Sequence, residues 1–382
     1  MNMDYLQQSF SVHFEYRVFF TEHLFDASNP LLRDYFLEQQ QTNHKKLLFV
    51  IDRGVVDHHP ELQNKIKSYF SQLPFTVIPE MLILRGGEEI KNEESCFYKI
   101  VEAVNKHGID RHSYIVGIGG GSVLDVTGYA AAVSHRGVRH IRIPTTVLSQ
   151  NDSGVGVKNG INFFRKKNFL GTFAPPAAVF NDAHFLTTLS NDEWRSGMSE
   201  AVKVALVKDA SFFSWLEQHA AALVERDMTA MQYLIRRCAE LHLQHIASRD
   251  PFELGSSRPL DFGHWSAHKL EQLTGFSIRH GDAVAMGMAL DSTYSFLSGR
   301  LAKGSFERII QLLQALGFSL VHPFMEIRNE DSPLLNGLNE FREHLGGKLT
   351  IMLLNDIGLG EEVNELDTEL VCAASNWLKQ NS

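Results

Sequence analysis

The chain has 382 residues, of which 44% are hydrophobic and 21% charged, and 45 acidic against 36 basic side chains give it a formal net charge of −9. These values suggest a globular protein of about two domains and exclude a disordered or collagen-like chain, while the acidic balance argues against general nucleic-acid binding. Three widely spaced cysteines make no disulfide framework, and we identify neither a signal peptide nor an apolar run of membrane-spanning length, so we expect a cytoplasmic protein that uses no membrane.

Alternating strand and helix patterns fill the first half of the chain. Residues 12–18 alternate apolar and polar side chains, which predicts a half-exposed strand. Buried-strand patterns and intervening helix patterns then follow one another to about residue 180, which is typical of a doubly wound parallel sheet. The predicted strands are 46–52, 75–84, 113–118 and 140–143, and the predicted helices run from about 85 to 106 and from 122 to 133.

Long helical patterns dominate after residue 189, and strand patterns nearly vanish. We therefore predict an α/β domain over residues 1–185 and an all-α domain over residues 186–382. The predicted helices cover residues 192–208, 230–248, 266–273, 281–297 and 305–316.

A glycine-rich turn joins the strand at 113–118 to the next helix. Three consecutive glycines, Gly119 to Gly121, allow a ligand to approach the backbone, and the helix N-terminus that follows suits a phosphate. The third glycine of the G-x-G-x-x-G dinucleotide pattern is missing. Taken alone, the turn is therefore equally consistent with a phosphate-binding site and with a tight turn that binds no ligand. Thr145 and Thr146 follow the next strand, where open α/β sheets bind ligands.

Residues 150–171 form a basic, amide-rich segment that we expect to be a loop. It carries Lys158, Arg165, Lys166 and Lys167 among Gly, Asn and Ser residues. In an acidic chain this local excess of cations favours an anion site, and the alternative is a solvated loop.

One glutamate and several histidines could form a metal site. Glu200 and Lys203 share a helix face, as do His264 and His268, and His280 follows shortly after. A glutamate with two histidines is a common ligand set for catalytic zinc. The chain has 18 histidines, however, so the spacing alone favours ordinary core or surface histidines. His242 and His245 in the preceding helix are similarly spaced and have no better claim.

Taken together, these segments resemble the sugar-phosphate cyclase superfamily, whose best-known member is 3-dehydroquinate synthase. The resemblance extends over about residues 45 to 360 and is strongest in GGGSVLDVTG and the region up to residue 171, SGMSEAVKVALVKD, LDFGHWSAHKLE and HGDAVAMGM. It implies an N-terminal NAD-binding α/β domain, a C-terminal helical domain that binds zinc or cobalt, and a homodimer. It also implies an enzyme of the carbon–oxygen lyase class that converts a heptulose phosphate to a carbocycle. Transient oxidation by NAD, phosphate elimination, reduction, ring opening and intramolecular aldol closure would be its steps.

The resemblance also implies roles for individual residues. Glu200, His264 and His280 would hold the metal, and Lys203, His268, Asp152 and Lys158 would act on the substrate. Arg136, Asn168 and Lys158 would hold its phosphate, with Arg136 reaching across the dimer. NAD would contact Gly86, Gly87, Glu88, Lys91, Gly121, Ser122, Val123, Leu124, Asp125, Thr145, Thr146, Lys158, Lys167, Phe185, Leu186, Thr187 and Thr188.

The chain departs from dehydroquinate synthases at positions that hold the substrate carboxylate there. An arginine becomes Ser257, an asparagine becomes Asp261, a lysine falls near His242, and a lysine pair falls within residues 341–347. An unpaired carboxylate is costly to bury, so we expect a phosphorylated sugar without one. The stretches FREHLGG and SRPLDFGHWSAH are similar to valiolone synthases and to dehydroquinate-synthase-like proteins of Ebo gene clusters, respectively. The alternatives are a true 3-dehydroquinate synthase, an NAD-dependent polyol dehydrogenase of the iron-containing alcohol dehydrogenase type, and a non-catalytic relative.

Overall fold

A parallel sheet forms the N-terminal part of the molecule. The computed structural model describes residues 5–39, 45–164, 166–248, 251–252, 259–328, 331–344 and 349–381. Within them, seven strands make the sheet in the order β1-β9-β6-β5-β2-β3, with β4 also paired to β2, and every pairing is parallel. These strands are β1 (Arg17–Thr21), β2 (Lys45–Asp52), β3 (Phe75–Val77), β4 (Leu82–Leu84), β5 (Tyr114–Gly119), β6 (Arg139–Pro144) and β9 (Ala178–Asp182).

Helices cover both faces of this sheet because its central strands are apolar on both sides. In β2, Leu47, Phe49 and Ile51 pack into one hydrophobic core, and Leu48 and Val50 pack into another. The predicted doubly wound α/β fold is therefore confirmed. The first core includes α1 (Leu31–Glu38) and α3 (Leu62–Phe70), the second includes α4 (Glu94–His107) and α5 (Gly121–Val133), and the short α2 (Arg53–His58) follows β2.

Two predicted strands differ from the structure. The alternation at residues 12–18 does not make a strand of its own, because β1 begins at Arg17, where pairing with Ala178 of β9 starts. The strand predicted over residues 75–84 is split into β3 and β4, which pair with successive parts of β2. Pro79 lies in the gap between them, and proline has no N–H to donate to a ladder.

Helices dominate the C-terminal part, as predicted, and share one large hydrophobic core. The single helix predicted over residues 192–208 is broken at Gly197, where a β-carbon would overlap the backbone nitrogen of Leu148.

The prediction missed an antiparallel hairpin of β10 (Ile351–Asp356) and β11 (Leu359–Val363), so this part is not all-α. Its helices are α6 (Asn191–Ser196), α7 (Met198–Lys208), α8 (Ala210–Val224), α9 (Met228–Ile246), α10 (His264–Leu273), α11 (His280–Leu297), α12 (Lys303–Ala315), α13 (Asn336–His344) and α14 (Thr368–Asn381).

The basic segment that we expected to be a loop is a second hairpin. Its strands are β7 (Lys158–Phe163) and β8 (Lys166–Phe173), and Arg165 at its tip lies outside the described residues. Among the described helices, none is long and apolar enough to cross a membrane.

Arg142 of β6 anchors the segment that leads into this hairpin. Its guanidinium is fully buried and donates to the carbonyl oxygens of Gly154, Gly156 and Lys158 at 3.1, 2.7 and 2.9 Å. It also donates to Asn159 Oδ1 at 2.7 Å. Because most of these acceptors are buried, this one side chain fixes the backbone between β6 and β7.

We therefore expect Arg142→Met to lower the free energy of unfolding by about 3 kcal/mol, because several buried acceptors lose a charged donor. Urea unfolding would measure the loss. Arg139→Met on the same strand is the matched control, since Arg139 makes a single hydrogen bond, to the Tyr114 hydroxyl, and should cost about 1 kcal/mol or less. Equal losses in the two variants would contradict the anchoring role.

Candidate functional site

A cleft of about 820 Å³ lies between the carboxyl ends of the sheet strands and the helical part. The turn after β5, the segment after β6 and the β7–β8 hairpin line one wall. Residues of α7, α9, α10 and the start of α11 line the other. A crevice at the carboxyl edge of an open parallel sheet is where such folds bind ligands.

The glycine-rich turn opens one wall of this cleft. Gly120 and Gly121 begin α5, and a β-carbon on Gly121 would lie 2.6 Å from the Ser153 hydroxyl oxygen. The first-turn N–H groups of α5 have no partner within the helix and point to its N-terminal end. Bare backbone and free donors at this point fit the diphosphate of a dinucleotide.

A buried lysine holds the polar groups beside this turn together. Lys91 is only 4% exposed, and its ammonium donates to Asp125 Oδ2 at 2.9 Å and to Asn168 Oδ1. Burial opposes its charge, but Asp125 and Glu88 outweigh that effect and raise the pKa of Lys91. Glu88 in turn accepts hydrogen bonds from Ser122 and Asn162. The network preorganises the cleft wall next to the free helix N-terminus.

Glu200 faces two imidazoles on the opposite wall. Its Oε1 lies 3.7 Å from Nε2 of His264 and 3.6 Å from Nε2 of His280. The carboxylate is 1% exposed, and neither oxygen accepts a hydrogen bond of normal geometry, although Lys203 forms an ion pair with Oε2. Tetrahedral ligands at zinc distances are about 3.4 Å apart, so both separations are close to what a divalent cation requires, and one ligand atom from each of the three residues lies within 4.8 Å of the others.

Each of the two imidazoles is oriented by its other ring nitrogen. Nδ1 of His264 lies 3.2 Å from the carbonyl oxygen of Phe262, and Nδ1 of His280 lies 3.2 Å from Glu271 Oε2. Such contacts leave Nε2 free to bind a metal. Burial lowers the pKa of His264 well below its usual value, and nearby Lys203 adds to this. Burial also disfavours a charged His280, but Glu271 raises its pKa to about 9, so a cation would displace that proton.

His268, Glu271 and His280 form an alternative group of possible ligands. Both oxygens of Glu271 already accept from Lys167, at 2.8 and 2.9 Å, so this carboxylate is satisfied. The oxygens of Glu200 are not satisfied in this way. Of the two groups, Glu200, His264 and His280 therefore fit a metal better.

A second group of paired charges connects the two walls of the cleft. Nδ1 of His242 on α9 lies 2.7 Å from Oδ1 of Asp152. Burial would raise the pKa of Asp152, but His242 and Lys203 outweigh burial and lower it well below its usual range. For Lys203, burial opposes the charge, and Glu200 and Asp152 together raise its pKa. Both shifts favour the ionised forms, a carboxylate at Asp152 and an ammonium at Lys203, and both residues line the cleft.

The structure brings most of the predicted site residues to this cleft. Its lining includes the predicted residues Gly87, Glu88, Lys91, Gly121, Ser122, Val123, Asp125, Thr146, Asp152, Lys158, Lys167, Asn168, Lys203, Asp261, His264, His268 and His280. Glu200 is buried behind the surface. The predicted residues that do not line it are Arg136, Gly86, Leu124, Thr145, Phe185, Leu186, Thr187 and Thr188. Ser257 and residues 345–347 lie outside the described part of the chain.

Two cleft residues were not assigned from the sequence. Glu271 follows His268 by three residues and so shares its helix face, a signal that was available. His242 was noted for its spacing to His245 and as the position near which a family lysine falls, but it was given no role, and its partner Asp152 lies 90 positions earlier in the chain. No local pattern reveals a contact of that kind.

Comparisons with known proteins agree on one family. The 3-dehydroquinate synthase N-terminal model matches residues 81–196, and the C-terminal model matches residues 197–333. The 3-dehydroquinate synthase of Pseudoalteromonas atlantica is 34% identical over 76% of this chain and 81% of its own length. That of Halorhodospira halophila is 35% identical over 73% and 77%.

Solved structures extend this picture. The 2-epi-5-epi-valiolone synthase of Streptomyces hygroscopicus subsp. jinggangensis, with NAD⁺ and Zn²⁺ bound, is 28% identical with a TM-score of 0.88, covering 99% of this chain and 100% of that one. A 2-deoxy-scyllo-inosose synthase complexed with carbaglucose-6-phosphate, NAD⁺ and Co²⁺ is 23% identical with a TM-score of 0.76, covering 94% and 95%. A probable glycerol dehydrogenase from Sinorhizobium meliloti shares the fold, at 16% identity and a TM-score of 0.64 over 96% and 97%.

The turn that carries His264 rests on a buried carboxyl group, Asp291 of α11. It accepts from the backbone N–H of Gly263, where φ is +77°, and from Trp265 Nε1, at 3.0 and 2.9 Å. Burial raises the pKa of Asp291 from 3.8 to about 7. The folded chain therefore keeps a proton that the unfolded chain has released between these pH values.

It follows that Asp291 stabilises the fold less as pH rises from about 4 to about 7. We expect the free energy of unfolding of the wild type, minus that of Asp291→Asn, to fall by roughly 4 kcal/mol over this interval. Urea unfolding of both proteins between pH 4 and 8 measures this difference. A difference that does not change with pH would show that Asp291 is ionised in the folded chain.

Proposed function

Because this chain belongs to the 3-dehydroquinate synthase family, we propose that it is an NAD- and divalent-metal-dependent sugar phosphate cyclase. Its substrate is a heptulose phosphate, and its product is a carbocycle formed with release of inorganic phosphate. One observation carries the proposal: the unsatisfied Glu200 carboxylate faces His264 and His280 in the same cleft as the glycine-rich turn. The family relation and the valiolone synthase with NAD⁺ and Zn²⁺ bound support it.

Glu200, His264 and His280 are the residues that would hold the cation, zinc or alternatively cobalt, and the α5 N-terminus is where NAD⁺ would bind. When bound, NAD⁺ supplies a hydride acceptor that is regenerated in each turnover, and the cation supplies an electrophile that acidifies a substrate hydroxyl. Lys91, Glu88 and Asp125 shape the wall beside the dinucleotide. Lys167 supports the metal side by holding Glu271 against His280.

The remaining cleft residues bind the sugar phosphate and handle its protons. Lys158 and Asn168 lie on the hairpin wall and are suited to the phosphate. Lys203 Nζ stands between Glu200 and Asp152, where a fixed positive charge stabilises an oxygen that loses its proton. His268 lies within 6.0 Å of His280, ring centre to ring centre, and can pass a proton to or from substrate.

The proposal favours a substrate without a carboxylate. Asp261 lines the cleft and is one of the carboxylates that raise the pKa of Lys203, so the cation of this corner is already balanced by negative charge. His242 is engaged with Asp152 and not presented as a free cation. A carboxylate substrate would meet repulsion from Asp261, whereas a hydroxyl would find an acceptor. A 3-dehydroquinate synthase remains the second candidate, because curated relatives at 34% and 35% identity carry that name.

The proposal includes a homodimer, a cytoplasmic location and a domain boundary near residue 185. Arg136 is exposed, has a φ of +61° and lies away from the cleft of its own chain. In a dimer it would reach the phosphate in the partner's cleft.

The boundary falls between the last sheet strand, which ends at Asp182, and α6, which begins at Asn191. All three cysteines are free, as a reducing compartment requires.

The reaction itself is tested by incubating the purified protein with NAD⁺, Zn²⁺ and a heptulose phosphate. We expect one phosphate released per product formed, with no net NADH, because the hydride returns to the substrate. Sedoheptulose 7-phosphate should be turned over faster than the heptulosonate phosphate that dehydroquinate synthases use. The reverse preference would favour the second candidate, and NADH accumulating without phosphate would identify a polyol dehydrogenase.

A variant tests the proposed ligand set. Glu200→Gln keeps the shape of the side chain but removes its charge, so we expect loss of bound Zn²⁺ and a fall in turnover of about a thousandfold or more. Ser199→Ala on the same helix is the control, since its hydroxyl donates only to the Ser196 carbonyl oxygen. Metal content by mass spectrometry and circular dichroism separate loss of metal from loss of fold. Full activity in Glu200→Gln would eliminate this ligand set.

A further variant tests the contact between His242 and Asp152. His242→Leu removes a buried charged hydrogen bond worth about 1.5–3 kcal/mol, so kcat/KM should fall roughly 10–100-fold. His242→Asn retains a donor near the Nδ1 position and should recover part of the loss. Gln244→Leu, at an exposed position on the same helix, is the control. Unchanged kinetics in His242→Leu would exclude His242 from the site.

A further inference from the structure

We propose that His59, Glu61 and His184 form a second site for a divalent transition-metal ion, outside the cleft. One potential ligand atom from each of these residues lies within 4.8 Å of the others. Among the described residues that line the cleft, none belongs to this group. The inference therefore stands independently of the function proposed above.

Two separate segments of the chain supply the group. His59 and Glu61 lie in the connection between α2 and α3, and His184 is the second residue of the short helical turn Ala183–Thr188 after β9. Asp182 fixes the start of that turn by accepting from the backbone N–H of His184 at 3.0 Å. The three side chains meet at the carboxyl end of β9, so a cation there would tie a turn of the sheet to the α2–α3 connection.

A third imidazole lies next to the group. The ring of His23 lies 4.2 Å from that of His184, centre to centre, and the rings of His59 and His184 are 5.1 Å apart. His23 has a φ of +52°, an uncommon conformation for a residue other than glycine, and its backbone N–H is held by Asp182. His23 packs against His184 but does not itself belong to the group whose ligand atoms lie within 4.8 Å of one another.

The hydrogen bond of His59 prepares that ring for metal binding. Its Nε2 lies 3.1 Å from Thr188 Oγ1, and the Thr188 hydroxyl donates to the carbonyl oxygen of Phe185 at 3.3 Å. Since a hydroxyl has one hydrogen to donate, Thr188 accepts from His59 Nε2–H. The Nδ1 of His59 then keeps its lone pair, and ligating histidines are commonly oriented by a second-nitrogen contact of this kind.

The other two ligands are at most weakly engaged by protein atoms. Within the described part of the chain, the ring nitrogens of His184 make no hydrogen bond to protein atoms. The Glu61 carboxylate accepts from its own backbone N–H and has a 3.7 Å ion pair with Lys65, which is weak because both side chains are about half exposed. Imidazole nitrogens with one carboxylate oxygen suit Zn²⁺, Co²⁺ or Ni²⁺ rather than Mg²⁺ or Ca²⁺.

The test is the number of Zn²⁺ ions that the full-length, metal-stripped protein binds, measured by calorimetric titration and by mass spectrometry after dialysis. We expect two per chain in the wild type. His59→Gln keeps a donor for Thr188 but removes the Nδ1 ligand, and His184→Ala removes a half-buried ligand. Each variant should bind one ion tightly, and its affinity for the second ion should fall by about tenfold or more.

His58→Gln is the matched control, because His58 is an exposed neighbour whose Nδ1 contacts the carbonyl oxygen of Gly54, and it should still bind two ions. Glu200→Gln should retain the ion at the new site, and Zn²⁺ should raise its melting temperature. The double variant Glu200→Gln/His59→Gln should lose both effects.

The outcomes separate the two sites. The second site would be overturned if the wild type binds one ion, and if that ion is lost in Glu200→Gln but kept in His59→Gln and His184→Ala. The proposed metal site in the cleft would then still be supported. Two ions retained in both histidine variants would also overturn it. Two ions retained in Glu200→Gln would instead contradict the cleft assignment, while one ion lost in both histidine variants would support the new site.

Discussion

A buried carboxylate without hydrogen bonds is costly, and the architecture of this protein is organised around one. Glu200 has an ammonium ion on one oxygen and two imidazoles facing the other. Around Glu200, pairs of opposite charges connect the sheet side of the molecule to the helical side. Asp152, after β6, contacts His242 on α9, and Lys167, on the β7–β8 hairpin, contacts Glu271 on α10. Such pairs hold the cleft in one geometry, since removing either partner leaves the other charge buried alone.

Burial decides which parts of the fold were predictable from the sequence. The strands β2, β5 and β6 are covered on both faces, so their apolar runs identified them to within a residue or two. The alternation at residues 12–18 predicted the wrong strand limits, because pairing with β9 begins only at Arg17. The hairpin of β7 and β8 was missed because its outer strand is largely exposed and polar in pattern. Strand formation there depends on a partner and on the anchor at Arg142.

The candidate site was predictable only where several motifs combined. His264, His268 and His280 could not be distinguished by spacing from the other histidines of the chain, and the family resemblance made the choice. The matches of the chain to the two family models and to solved structures confirm that resemblance. Glu271 was not assigned, although its position three residues after His268 on the same helix was a usable signal, and its partner Lys167 lies 104 positions earlier in the chain. The partner of His242, Asp152, lies 90 positions earlier. These two contacts exist only after folding, so no local pattern could reveal the contacts themselves.

The cleft walls belong to different hydrophobic cores, and this bears on how such enzymes diverge. The glycine-rich turn packs with the sheet, whereas Asp261, His242 and the metal candidates sit on the helical core. The departures from dehydroquinate synthases that fall within the described residues lie on the helical side. Under the proposed function, a substitution on the helical wall can alter which sugar the cleft accepts while the glycine-rich turn keeps its packing, because the two are held by separate cores.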